Sequence, residues 1–419
     1  MRLRETVTRR ANLAIVGVAL LVGAAVGFRV LRSGHAHPIR HAAPSAPKSS
    51  VRTTRQPGVT STTARVVPVV DPASVRANEL GVIPVIMYHR IVPAATADTD
   101  RTPDQFRAEL ERLAADDYVP ITATQLVTGM IDVPAGKHPV VLTFDDGWPS
   151  QLTLDPTGVP TPDCAVGILL EVAKAHPGFR PTATFFVNRR PFGDATPTTL
   201  RWAVAHGFEI GNHTIHHVHL FRLSDAQAQR EIASLQAMVE QVAPAATMHT
   251  IALPYGMRPR TEALALNGSA NGIDYHYSGV FLVGAEPAPS PFSVRFDPLR
   301  VPRIRSDGGG GTTPLASSQW LDTLDAHPGM VYSSDGDPRV ISFPASLRPR
   351  LVARFAAMAY PYPNLPPVPA PTTTITLNSV ETTTVLPPTV VPTTALSTSV
   401  VPTNATAVTA SASAPSVPT

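Results

Sequence analysis

The sequence predicts an α/β fold, a parallel sheet or barrel with helices outside, set in the middle of the chain between segments of very different composition. Three observations carry this. Short β-rich runs alternate with helix-patterned runs from about residue 80 to residue 358. An apolar stretch without charge, Ala11 to Phe28, opens the chain between arginines. Segments dominated by Pro, Thr, Ser, Val and Ala flank the alternating region on both sides.

The N-terminal stretch is long enough to cross a bilayer as a helix. Arg2, Arg4, Arg9 and Arg10 precede it and Arg29 and Arg32 follow, so residues 1–32 are predicted to be a cytoplasmic stub and a transmembrane helix. By the positive-inside rule everything after it lies outside the cell. A cleaved signal peptide, and hence secretion, is the alternative; the length of the run and the two arginines at the expected cleavage site favour an anchor at the cell membrane. Residues 33–79 read as a Pro/Ser/Thr-rich linker and residues 359–419 as a disordered tail, extended because proline forbids regular ladders. Removing the seven arginines and one glutamate of residues 1–40 from the chain's 34 basic and 31 acidic residues leaves 27 against 30. A near-neutral exported part excludes a basic nucleic-acid-binding surface. Cys164 is the single cysteine, so no intramolecular disulfide or cysteine-based zinc site can form, and it reads as a buried small apolar residue.

Within residues 80–358 the elements follow in order. Val82 to Tyr88 reads as a buried strand ending at His89. Thr102 to Asp116 is a helix opened by Thr-Pro-Asp, with Phe106, Leu110 and Leu113 on one face. Val119 to Ile121 is a short strand and Thr122 to Met130 a helix. Pro139 to Phe144 is an apolar run of the kind buried on both faces, with Asp145 at its C-terminal end. Ala165 to Lys174, Thr198 to Ala205 and Asp225 to Val242 are helices; Thr182 to Val187, Phe208 to Ile210 and Thr250 to Leu253 are strands. Polar clusters sit just after three of these strands. In α/β barrels the chemistry gathers at the C-terminal strand ends, so the clusters are predicted to share one mouth.

Two of those clusters read as a metal site. The adjacent carboxylates of Asp145 and Asp146 repel one another at the end of an apolar strand, and a divalent cation relieves that repulsion. Asp-Gly sequences also make ordinary turns. His213 and His217 lie four apart, which on a helical turn places both rings on one face; His216 and His219 are also within reach. One carboxylate and two imidazoles leave an open position, as a catalytic metal requires. Zinc suits the set best, and nickel, cobalt and iron accept the same ligand types.

Thr143 to Gly147 (T-F-D-D-G), His213 to His217 (H-T-I-H-H) and Pro254 to Gly256 (P-Y-G) resemble, in order and spacing, motifs of the polysaccharide deacetylase family, the NodB-homology domain or carbohydrate esterase family 4. Val82 to Ile91 and Ala183 to Val187 resemble its poly-N-acetylglucosamine deacetylase branch. The resemblance covers roughly residues 81–305 and implies a distorted (β/α) barrel of the NodB-homology type. It implies Asp145 as the general base toward water, Asp146, His213 and His217 as ligands of one divalent ion, and the Tyr255 backbone N–H as an oxyanion donor. Asn212 and Thr214 read as turn or supporting residues.

The sequence departs from that pattern in three places. Ala252 stands where many members carry an arginine that orients the base; Arg303, in Arg300 to Ile304, is the candidate replacement. The Leu-His motif that supplies a general acid has no clear copy, and His327 is nearest in position, with His89 a second candidate. Trp148 to Asp163 reads as an insertion that shapes or covers the cleft. The implied activity is removal of acetyl groups from N-acetylhexosamine units of a peptidoglycan-like or poly-N-acetylglucosamine-like polysaccharide. O-deacetylation, and a catalytically silent carbohydrate-binding or wall-structural protein on the same fold, are the alternatives.

Overall fold

The structure is a computed structural model that describes residues 68–193, 197–307 and 314–366. The predicted transmembrane helix, most of the predicted linker and most of the predicted tail lie outside the described residues. Among the described residues no helix is long and apolar enough to cross a membrane.

In chain order the strands are β1 (Val82–Ile83), β2 (Val85–Tyr88), β3 (Tyr118–Ile121), β4 (His138–Asp146), β5 (Thr184–Val187), β6 (Glu209–Asn212), β7 (Thr250–Ala252), β8 (Asn267–Ala270), β9 (Ile273–His276), β10 (Gly279–Phe281), β11 (Ala288–Pro289), β12 (Ile304–Arg305), β13 (Ile341–Pro344) and β14 (Ala359–Tyr362). The α-helices are α1 (Pro103–Ala115), α2 (Ala123–Thr128), α3 (Ala165–Ala175), α4 (Thr198–Ala205), α5 (Asp225–Val242) and α6 (Ser317–Ala326). Helix starts follow local chemistry. Thr102, Thr122 and Ser224 each form a capping box with a glutamine three residues on, satisfying two backbone donors at the start of α1, α2 and α5. Cys164 is buried as the sequence predicts, and its Sγ also accepts from the Gly167 N–H to cap α3.

The main sheet runs β10-β7-β6-β5-β4-β2-β12, with β3 also on β4, and every pairing in it is parallel. Its two edges meet where Val301 bridges Phe281 in parallel, the Leu282 N–H donating to the Val301 carbonyl and the Val301 N–H to the Val280 carbonyl. The sheet is therefore a barrel closed by a short seam, distorted because β12 has two residues and Pro302 cannot donate to a ladder. The predicted strand Val82 to Tyr88 is in fact two. Pro84 interrupts it; β1 pairs antiparallel with β11, and only β2 enters the barrel.

Alternation along the strands splits the core in two. Outward residues such as Leu142, Phe144, Phe185 and Ile210 pack against α1, α3, α4 and α5. Inward residues, among them Val141, Phe186, Ala252, Phe281 and Val301, pack with Leu126 and Val127 of α2, which fills the N-terminal end of the barrel. A Cβ on Gly279 would stand 2.5 Å from Val127 Cγ1, so glycine is what lets α2 close against β10. Above this apolar plug the inward positions turn polar at the C-terminal strand ends.

The folded region is also wider than residues 80–358. β14 pairs in parallel with β13, the Tyr362 hydroxyl donates to the Ala77 carbonyl, and Arg76 donates to the Pro366 carbonyl. Ala77 and Glu79 are buried. Residues 359–366 thus belong to the fold rather than to the tail, because Tyr362 and its neighbours cover apolar surface that the composition of the segment does not disclose.

Candidate metal centre

Asp145 and Asp146 close β4 and have opposite environments. Asp145 points into the barrel and is 2% exposed. Arg303, fully buried, grips it with two bonds of 2.7 Å, one from each terminal nitrogen. The same guanidinium donates to the Leu282 carbonyl and the Thr143 hydroxyl and lies over the Phe186 ring, so every direction it faces is occupied. Burial alone would raise the Asp145 carboxyl; Arg303, aided by His213 and His89, outweighs it and holds the group well below the usual carboxylate range. Gln151 ties the pair's surroundings together, its amide donating to the carbonyls of Asp145 and His89.

Asp146 has φ 73° and Gly147 φ 66°, so the chain leaves the strand through two left-handed residues. This twist turns the Asp146 carboxylate across the barrel mouth toward the histidines. A Cβ on Gly147 would lie 3.1 Å from Pro191 Cα, which adds a steric reason for glycine. Asp146 Oδ1 is 3.4 Å from His217 Nε2 and 3.7 Å from His213 Nε2. Two ligands of a tetrahedral zinc, each about 2.0 Å from it, stand about 3.3 Å apart.

The histidines converge through a turn, not through the helical spacing predicted. Thr214 and His217 both have positive φ (60° and 52°), the Asn212 side chain accepts from the Thr214 N–H, and the Thr214 hydroxyl accepts from the His217 N–H. The side-chain bonds that build this turn outcompete helix formation. His213 Nδ1 is 2.8 Å from the Ala252 carbonyl, so Nδ1 carries the proton and Nε2 presents its lone pair. Burial lowers the His213 imidazole despite the pull of Asp145 and Asp146, which keeps it neutral as a ligand must be. Asp146, His213 and His217 are the one set of three or more metal-ligating side chains grouped this closely among the described residues, with ligand atoms within 4.8 Å of one another. The donor set, tautomer and spacing fit a divalent ion.

His216 turns away and pairs with Glu231, and His219 stacks on Tyr255 with ring centroids 4.0 Å apart. Tyr255 sits at φ 57° in a tight turn with its ring half exposed beside His217. No hydrogen bond among the described residues takes up its backbone N–H. His89 Nε2 is 3.9 Å from Asp145 Oδ2, the same distance as His213 Nε2, and its side chain is 20% exposed at the mouth.

His327 is not brought to this site. It ends α6, which carries the chain from the region of β12 back down the barrel, and it lines a cavity of about 630 Å³ with His138 and Gly136. His138 begins β4, seven residues from Asp145, or about 23 Å along the strand. The general-acid candidate at His327 is therefore corrected, and the cavity belongs to the end of the barrel away from Asp146, His213 and His217. Sequence reasoning also missed Gln151 and the role of Trp148, whose Nε1 donates to Asp146 Oδ2 at 3.0 Å; inside an aperiodic insertion neither gives a pattern signal.

Residues 132–271 match the model of a family described as polysaccharide deacetylase. The chain is 29% identical over 162 residues to a chitooligosaccharide deacetylase of Bradyrhizobium sp. (strain ANU 289), covering 39% of this chain and 64% of that protein. It is 32% identical over 143 residues to a chitooligosaccharide deacetylase of Sinorhizobium fredii (strain NBRC 101917 / NGR234), covering 34% and 58%. The chain thus spans less than two thirds of the length of these curated relatives. Among solved structures, the Streptococcus pyogenes deacetylase PplD in complex with acetate aligns with 58% of this chain and 97% of its own at 20% identity and a TM-score of 0.43. IcaB from Ammonifex degensii aligns with 54% and 91% at 20% identity and a TM-score of 0.39. Asp145, Asp146, His213, His217 and Tyr255 all fall inside the family match, whereas Arg303 and His89 lie outside it. Over residues 132–271 this chain is thus similar to polysaccharide deacetylases.

Proposed function

We propose that this protein is a divalent-metal-dependent hydrolase that removes acetyl groups from N-acetylhexosamine units of a cell-wall or exported polysaccharide. The observation that carries the reading is a buried, ionised Asp145 beside the Asp146, His213 and His217 set at one barrel mouth. Asp146, His213 and His217 would hold the ion, zinc by donor type. When bound, it supplies Lewis acidity, polarising the acetyl carbonyl and acidifying water.

The chain's own groups supply the rest. Asp145 takes a proton from the attacking water, and Arg303 keeps it charged and fixed in direction. The Tyr255 backbone N–H donates to the oxygen that gains charge as the acetyl carbon becomes tetrahedral. The leaving amine needs a proton, and His89, facing Asp145 across the mouth, is placed to relay the one Asp145 has taken. Burial lowers the His89 imidazole, so it starts neutral and can accept that proton before giving it up. The uncharged stretch at residues 11–28 supports a single-pass anchor at the cell membrane with this domain outside, or secretion if the segment is cleaved.

Acetate release from N-acetylated chitooligosaccharides, peptidoglycan and acetylated xylan, alongside metal content, tests the reading. One divalent ion per chain is expected in the wild type and none in His213→Ala, with acetate released from an N-acetylated substrate. A wild type that binds no metal sinks the proposal. Release from acetylated xylan alone would move it to O-deacetylation.

A further inference from the structure

Asp146 has two carboxylate oxygens, and only Oδ1 faces the histidines. Oδ2 accepts the Trp148 indole N–H at 3.0 Å, two residues along the chain and beyond the left-handed Gly147. The indole is 42% exposed, so burial among apolar neighbours does not account for where it lies. A different contact does. The Arg90 guanidinium lies over the Trp148 ring, 5.7 Å from its centroid. Arg90 is in turn fixed by two bonds to Asp100, 2.8 Å from Nε and 2.6 Å from a terminal nitrogen. Asp100 also accepts from the backbone N–H groups of Thr96 and Ala97 and from the Thr96 hydroxyl. Four side chains thus run in one line, Asp100 to Arg90 to Trp148 to Asp146, from a well-anchored loop to the carboxylate at the metal set.

We propose that Trp148 is a positioning residue for the metal centre: its N–H occupies Asp146 Oδ2 so that the carboxylate offers a single oxygen, and the Arg90–Asp100 pair holds the indole in place. The inference rests on the metal reading above. A carboxylate free to rotate about its terminal torsion has to be ordered when the ion binds, and a partner that orders it beforehand removes that cost. Half-exposed and lying on the insertion, Trp148 adds this function without belonging to the barrel core.

Zinc affinity of the purified chain, measured by competition with a chromophoric chelator, separates the possibilities. Trp148→Phe keeps a ring under Arg90 and removes the N–H. It is expected to weaken zinc binding by about 10-fold, the lower bound for loss of a partner to a metal ligand. Its metal-free melting temperature should stay at the wild-type value. With cobalt(II) in place of zinc, the variant's visible absorption should fall in intensity, because the freed Oδ2 can join the ion and raise its coordination number. Trp148→Phe with wild-type zinc affinity and cobalt spectrum overturns the inference. Loss of affinity in Trp148→Ala but not in Trp148→Phe would assign the effect to ring bulk and also overturn it. A wild type with no zinc affinity fails the metal reading itself, which is a different result from equal affinities in wild type and variant.

Discussion

Two buried carboxylates in this protein meet the same loss of water and respond in opposite directions. Asp145 at the barrel mouth is held well below the ordinary range, and Glu79, near the ends of the folded region, is pushed up to about 8. Glu79 accepts from the Tyr332 and Ser334 hydroxyls and the Ser342 N–H, all neutral donors, and faces a second acid in Asp335. Asp145 has a guanidinium on both oxygens. Burial is common to both, so the charge of the partner decides whether the acid is ionised. Glu109 repeats the Glu79 case: desolvation, opposed by the Tyr88 and Ser317 hydroxyls and by Arg101, lifts it to about 7.

The comparison can be broken at several points. Asp145→Asn removes the proposed base while leaving Asp146, His213 and His217 in place. Acetate release is expected to fall by about 1000-fold, within the range for general-base catalysis, with metal content unchanged. Full activity in that variant would reassign the base. Arg303→Met converts Asp145 into a carboxylate like Glu79, buried without a charge partner. Chemical denaturation should show a loss of about 3 kcal/mol or more, the usual penalty for stranding one member of a buried pair. A variant as stable as wild type would mean that the Arg303–Asp145 pair contributes nothing net to folding.

The raised acids set a pH dependence. Both Glu79 and Glu109 bind their protons more tightly folded than unfolded, so their contribution is complete below about pH 4.5. It is lost as pH rises through the folded values of about 7 and about 8. Denaturant midpoints should therefore decline from pH 5 to pH 8, by a stability on the order of 6 kcal/mol, and a Glu79→Gln, Glu109→Gln double variant should flatten that slope. Gly147→Ala, forced to φ 66° against Pro191, is expected to cost about 1 kcal/mol and to weaken metal binding by misaiming Asp146. His327→Ala should be smallest, with activity unchanged and stability within about 0.5 kcal/mol, as for an exposed residue far from the site. An activity loss there would restore it as a candidate acid.

Much of the site was legible because its residues sit in short motifs at strand ends. Asp145, Asp146, His213 and His217 follow predicted strands, and a parallel sheet brings successive C-terminal ends together whatever lies between them. Arg303 was nominated by its place in a motif; that it grips Asp145 depends on how the barrel closes, which periodicity does not encode. The error at His327 has the same origin. Sequence position placed it near the family's final motif, but the direction of α6 sends it to the other end of β4. The helical spacing read into His213 and His217 failed because Asn212 and Thr214 spend their side chains on a left-handed turn. Helix boundaries fared better, since Thr102, Thr122 and Ser224 announce their capping boxes locally. The Pro84 break in the first strand was visible in the sequence and was overridden by the apolar run around it.

The seam between Val301 and Phe281 gives the chain a temporal order. Asp146, His213 and His217 all lie in the chain by residue 217, yet the partner of Asp145 arrives 158 residues after it, just beyond the contact that closes the ring. Without the segment that carries Arg303, Asp145 has no guanidinium on either carboxylate oxygen. The pairing of Asp145 is thus coupled to closure of the barrel: a chain ending before residue 301 would carry Asp146, His213 and His217 without the guanidinium that fixes Asp145.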